Sequence, residues 1–132
     1  MLQCVLASNN PGKLAELRTL YPPGVAYVNQ NLFGSHDTNR IGSYIVNRGL
    51  GNFRDWGKWF QMSQPINNPA FSVRKPNAAE LQLQKLFVVL QMTYVGAPMV
   101  YYGDEVGMWG GNDPDDRKPM IWPDIIYEKE RA

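Results

Sequence analysis

Short apolar runs alternate with helical patterns along this chain, and that alternation restricts its fold more than any other feature. Residues 2–8, LQCVLAS, read as a buried strand stopped by Asn9-Asn10-Pro11-Gly12. A helix is expected from Lys13, because Leu14, Leu17 and Leu20 keep one face apolar until Tyr21-Pro22-Pro23-Gly24 ends the pattern. A second strand is expected from Val25 to Phe33, interrupted by Asn29, Gln30 and Asn31. A short helix should follow it, with Ile41, Tyr44 and Ile45 on one face. From Asn47 to Asn77 no period is sustained, and Gly49, Gly51, Gly57, Pro65, Pro69 and Pro76 punctuate what reads as a long loop. Asn77 and Glu80 then stand at capping-box spacing before a strong helix, Ala78 to Tyr94. Its apolar stripe is Leu83, Leu86, Phe87, Leu90 and Tyr94, widened by Val89. Gly96 and Pro98 close it, and Pro98 to Tyr102 forms a last apolar strand. Strand and helix in alternation belong to α/β folds with parallel strands.

Composition adds exclusions. With 132 residues there is room for one domain, and a formal charge of +1 leaves no basic stripe for nucleic acid or an acidic membrane. Hydrophobic residues at 44% suffice for a packed core, while 12 glycines and 10 prolines demand many loops. The single cysteine, Cys4, forms no internal disulfide. The N-terminal apolar run is too short for a signal peptide, and no apolar stretch is long enough to span a bilayer. The expectation is a soluble, cytoplasmic chain with no nucleic-acid or membrane partner, no cofactor and no metal.

Two segments carry chemistry. Residues 31–40, NLFGSHDTNR, put the only histidine beside an aspartate just past a strand end, with Arg40 three residues on. In parallel α/β folds that end is where sites assemble. One reading has Asp37 capping the next helix and His36 as surface polarity. The other has Asp37, kept ionised by Arg40, accepting sugar hydroxyls. The second segment is residues 96–122, GAPMVYYGDEVGMWGGNDPDDRKPMIW.

Together these segments resemble the α-amylase family of glycoside hydrolases, nearest its cyclomaltodextrinase and neopullulanase branch. Residues 96–122 resemble the last barrel strand and its loop, and NLFGSHDTNR the motif at the seventh strand. The resemblance runs from about Leu17 to Ala132, including the helix between the motifs. It implies that Asp37 is the third acid of the site, holding sugar hydroxyls as the ring distorts, and that His36 donates to the same ring. Arg40 belongs to the same binding set. Asp113 and Arg117, in a DPDxR pattern, would bind the next sugar toward the non-reducing end; an ordinary loop salt bridge is the plainer reading. Asp104 and Glu105 resemble loop supports, and Tyr101 and Tyr102 barrel interior. The implied ligand is an α-glucan, cyclodextrin or maltooligosaccharide.

The resemblance also shows what the sequence omits. A retaining glycosidase needs a nucleophile and an acid/base carboxyl about 5 Å apart, and the family's motifs for both are missing. The one similar string, Gly51 to Asp55, stands after the His-Asp motif instead of before it. A whole (β/α)8 barrel takes about 250 residues. The expected architecture is therefore a partial barrel of the last strands and helices, with parallel strands, completed by self-association and inactive alone.

Residues 1–18 carry a different resemblance, to the start of the inosine triphosphate pyrophosphatase family, through Ser8, Asn10 and Lys13 at a strand-loop-helix junction suited to phosphate. Plain turn chemistry explains the same residues. On this division 1–20 is a strand-loop-helix from one source and 21–132 the barrel piece, a chimera joined near Leu17 to Tyr21. The alternatives to a glycosidase are thus triphosphate binding at that loop, or a self-assembling remnant without catalysis. Phe53, Trp56, Trp59 and Phe60 in the long loop suit either sugar stacking or a small loop core.

Overall fold

The computed structural model describes residues 12–50 and 55–122. The strand expected at 2–8 lies outside them. Helix α1 spans Gly12–Thr19, as the leucine spacing predicts. The next element corrects the sequence reading: Pro23–Val28 is a helix, α2, where a strand was expected from Val25. Pro22 is extended (φ −51°, ψ 146°) and a proline opens the helix. A proline at the first helical position has a suitable φ and no N–H to leave unpaired, so it starts a helix as readily as it stops one. Only Gln30–Leu32, β1, is strand.

Helix α3, Ile41–Val46, buries Ile41 and Ile45 as their spacing predicts. Within the stretch read as a loop lies a further helix, α4, Trp56–Met62. Its N-cap is Asp55, whose Oδ1 accepts from the Lys58 N–H at 3.0 Å. Helix α5, Ala78–Thr93, begins with the expected capping box: Asn77 Oδ1 accepts from Glu80 N at 2.9 Å, and Glu80 Oε2 accepts from Asn77 N at 2.8 Å. Strand β2 is Ala97–Met99, shorter than the expected run to Tyr102. It pairs parallel with β1, Gln30 with Ala97, Asn31 with Pro98 and Leu32 with Met99. Pairing stops where β1 ends. The unit is α/β, two parallel strands joined through α3, α4 and α5.

Phe33, Ile41 and Ile45 form the core, with Tyr44, Leu83, Phe87, Leu90 and Tyr94 packed on it. Phe33 and Phe87 meet edge to face at 5.4 Å. Leu86 and Val89, expected in the buried stripe, are instead 65% and 58% exposed, while Glu80, Gln84 and Gln91 are buried. The sheet explains the rotation. Gln91 Nε2 donates to the carbonyls of Asn31 (2.9 Å) and Met99 (2.6 Å), one on each strand. Asn31 Nδ2 in turn donates to Tyr94 O at 3.0 Å and Val95 O at 3.3 Å, closing the end of α5. Buried backbone carbonyls must find donors, and a two-stranded sheet leaves several for α5 to serve. Trp59 is a core residue, 5.8 Å from Tyr44 edge to face, which answers the loop-core reading; Phe53 lies outside the described residues. No described helix is long and apolar enough to cross a membrane.

Candidate functional site

Both chemistry-bearing segments leave the C-terminal ends of the two parallel strands, and their loops meet there. After β1, Ser35 to Thr38 make a tight turn: Asp37 N donates to Ser35 Oγ and Ser35 N to Thr38 Oγ1, each at 3.1 Å. The turn spends its short hydroxyls on its own backbone and leaves His36 and Asp37 projecting, with side chains 68% and 67% exposed. After β2, Gly103 (φ +88°) adopts a left-handed conformation open to glycine, and a Cβ there would overlap Met108 Sδ. A 3₁₀ turn, Asp104–Val106, follows, and a second, Asp115–Arg117, ends the loop.

Arg117 joins the two loops. Its Nε and Nη2 donate to the His36 carbonyl at 3.1 and 2.9 Å. Its Nη2 stands 3.9 Å from Asp37 Oδ1, and its Nε 3.3 Å from Asp113 Oδ1. His36 Nε2 lies 3.4 Å from Asp37 Oδ2. Four of the five residues expected to bind sugar, His36, Asp37, Asp113 and Arg117, are thus one cluster. It offers two carboxylates, an imidazole and a guanidinium at an open surface, a set suited to several hydroxyl groups.

The fifth, Arg40, is placed otherwise. Its side chain is 0% exposed and turns inward, so the cation beside Asp37 is Arg117. Arg40 Nη1 donates to Tyr102 O at 2.6 Å and to Asp104 Oδ1 at 3.2 Å. Its guanidinium carbon sits 4.7 Å from the ring centroids of both Tyr101 and Tyr102. Burial pushes the Asp104 carboxyl up to about 7, against the opposing pull of Arg40. Burial likewise raises the Tyr101 hydroxyl to about 12.

Of the phosphate-binding alternative, Ser8 and Asn10 lie outside the described residues, and Lys13 enters only through the backbone of α1. Among the described residues no group of three or more His, Cys, Asp or Glu side chains could hold a metal ion. Two residues that sequence reasoning passed over matter here. Gln64 donates from Nε2 to the Asp113 carbonyl at 2.8 Å, bracing the cluster from the loop after α4. Asp116, next to Arg117 in the chain, is fully buried. Neither carries a sequence signal: Gln64 acts through distant backbone, and the burial of Asp116 is set by the fold.

Parallel strands whose C-terminal loops carry a polar cluster define the class: an α/β protein with its site at the strand ends. No family model matches the chain. Curated relatives do. It is 37% identical over 83% of its length to neopullulanase 2 of Thermoactinomyces vulgaris, 33% over 94% to a cyclomaltodextrinase of Geobacillus thermopakistaniensis, and 34% over 78% to a maltogenic alpha-amylase of Bacillus acidopullulyticus. The chain belongs to the α-amylase family of glycoside hydrolases. It spans 13%, 16% and 12% of the length of those three relatives. A match over 124 of 132 residues necessarily enters the first eighteen, the stretch that also resembles a pyrophosphatase start.

Proposed function

We propose that His36, Asp37, Asp113 and Arg117 form one side of an α-glucan subsite. The observation that carries this is the arginine bridge, which brings together residues from both family-like motifs at one exposed point. In this reading Asp37 accepts hydroxyls of the sugar at the cleavage point, and His36 donates to the same ring. Asp113 and Arg117 take the next sugar toward the non-reducing end. Arg40 supports the loops from behind. The names of the relatives, among them a cyclomaltodextrinase and a neopullulanase, support cyclodextrin or maltooligosaccharide as ligand.

Cleavage needs two further carboxyl groups in the geometry of a retaining site, and the motifs that would bring them are not in this sequence. This chain therefore binds sugar weakly and does not hydrolyse it. Calorimetry with maltotetraose should show millimolar affinity for the chain, lost in Asp37→Ala, and no release of reducing sugar. Hydrolysis that disappears in Asp37→Ala would overturn the second half of the reading.

The chain also associates with copies of itself. Leu86, Val88, Val89 and Met92 expose apolar surface on α5, and Val88 and Met92 line a cavity of about 110 Å³ together with Val100. Apolar surface of this extent calls for a covering partner. The lone cysteine suits a cytoplasmic setting.

A further inference from the structure

Beneath the surface cluster, the same two loops hold a second set of charges. The Arg40 and Asp116 side chains are both fully buried. Arg40 Nε and Nη2, both Asp116 carboxylate oxygens, and both amide atoms of buried Asn39 have no partner among the described residues. Buried polar atoms left unpaired are strongly unfavourable, yet this set is complementary: three donor atoms match three acceptor atoms. The backbone brings them close. Arg40 N donates to Gly110 O at 3.1 Å. A Cβ on Gly110 would lie 2.5 Å from Asp115 O and 3.2 Å from Asp116 Cα, so the 110 and 115–116 segments are in contact there.

We propose that Arg40 and Asp116, which make no direct hydrogen bond, are a buried positioning pair closed through an ordered water, and that this pair sets the spacing of His36–Asp37 to Asp113–Arg117. The turn Asp115–Arg117 makes this possible. Arg117 reaches outward to the His36 carbonyl, while its neighbour Asp116 is fully buried. The two loops are thereby fastened on both sides, and neither fastening alone fixes the tilt of the turn. An arginine serves this role where a lysine would not. Its planar fork meets Tyr102 O and Asp104 with one nitrogen and leaves two other donors without a partner. Burial raises the Asp116 carboxyl to about 6, against the pull of its own backbone amide, then of Arg117, and least of Arg40.

The test is NMR of the arginine Nε–H signals in the full chain, and it does not depend on whether the cluster binds sugar. In the unsubstituted chain the Arg40 Nε–H should exchange with solvent about a hundredfold more slowly than that of exposed Arg48. Asp116→Asn keeps the shape and removes the charge; it should speed Arg40 exchange about tenfold and move the Arg117 Nε–H signal. Asn77→Ala, which removes only the cap of α5, lowers stability and should leave the Arg117 signal in place. Arg40 exchange as fast as that of Arg48, or Asp116→Asn leaving both signals where they were, would overturn the pair. Should Asp116→Asn fail to fold, Arg40 exchange as fast as that of Arg48 in the unsubstituted chain would still overturn the pair.

Discussion

Glu80 and Asp104 are carboxyls pushed in opposite directions, and each has a visible reason. Glu80 accepts from Arg74 through two bonds of 2.7 Å and from the Asn77 amide. The Arg74 bonds, then the amide, hold its carboxyl down at about 2. A depressed acid stabilises the fold above its ordinary value of 4.5, and that stabilisation disappears as pH falls from 4.5 toward 2. Helicity followed by far-UV circular dichroism should therefore drop over that window, and Glu80→Gln should flatten the drop. Asp104 works the other way. Burial raises it from 3.8 to about 7, so the folded chain binds the proton more tightly than the unfolded one. Its contribution is full below about 4 and lost as pH rises through about 7; Asp104→Asn should remove that slope from denaturation measured across the range. The cap was legible because Asn77 and Glu80 report on local backbone. Arg40 was not, because nearness in sequence to Asp37 says nothing about which side of a turn a side chain takes. The cation that does stand beside Asp37 comes from Arg117, beyond the reach of any spacing argument.

At the scale of elements, leucine spacing located α1, the spacing of Ile41, Tyr44 and Ile45 located α3, and the capping box located α5. The missed elements share a cause. Helix α2 was read as strand because Val25, Tyr27 and Val28 suit either period over so few residues, and Pro23 decided for helix. Helix α4 was hidden by Gly57 within it and by the glycines before and prolines after it, although Asp55 three residues before Lys58 is an N-cap signal. Asp55→Ala should cost about 1 kcal/mol in chemical denaturation. The face of α5 was legible at Leu83, Phe87, Leu90 and Tyr94 and misjudged at Leu86 and Val89, because apolar residues are assumed to point inward. Here Gln91 is buried to bond both strands, and the helix rotates with it. Gln91→Leu adds an apolar side chain at a buried position yet should destabilise the chain by about 1–3 kcal/mol, since two strand carbonyls lose their donor. Increased stability in that variant would show that the helix is set by something else.

Across the whole molecule, the parallel α/β class and the family followed from two long motifs in order, while their meeting point required the fold. Asp113 and His36 are far apart in the chain; only parallel pairing of β1 with β2 brings their loops to one end. The exposed face of α5 belongs to this scale too. Light scattering should find multimers of the unsubstituted chain, and Leu86→Lys with Val89→Lys should shift them toward monomer; a clean monomer without those changes would contradict self-association. The central claim concerns the cluster. In an amide NMR titration with maltotriose, saturable shifts should be confined to residues 35–38 and 113–117, with none in Arg117→Ala. Shifts elsewhere on the surface, or none at high sugar concentration, would contradict it.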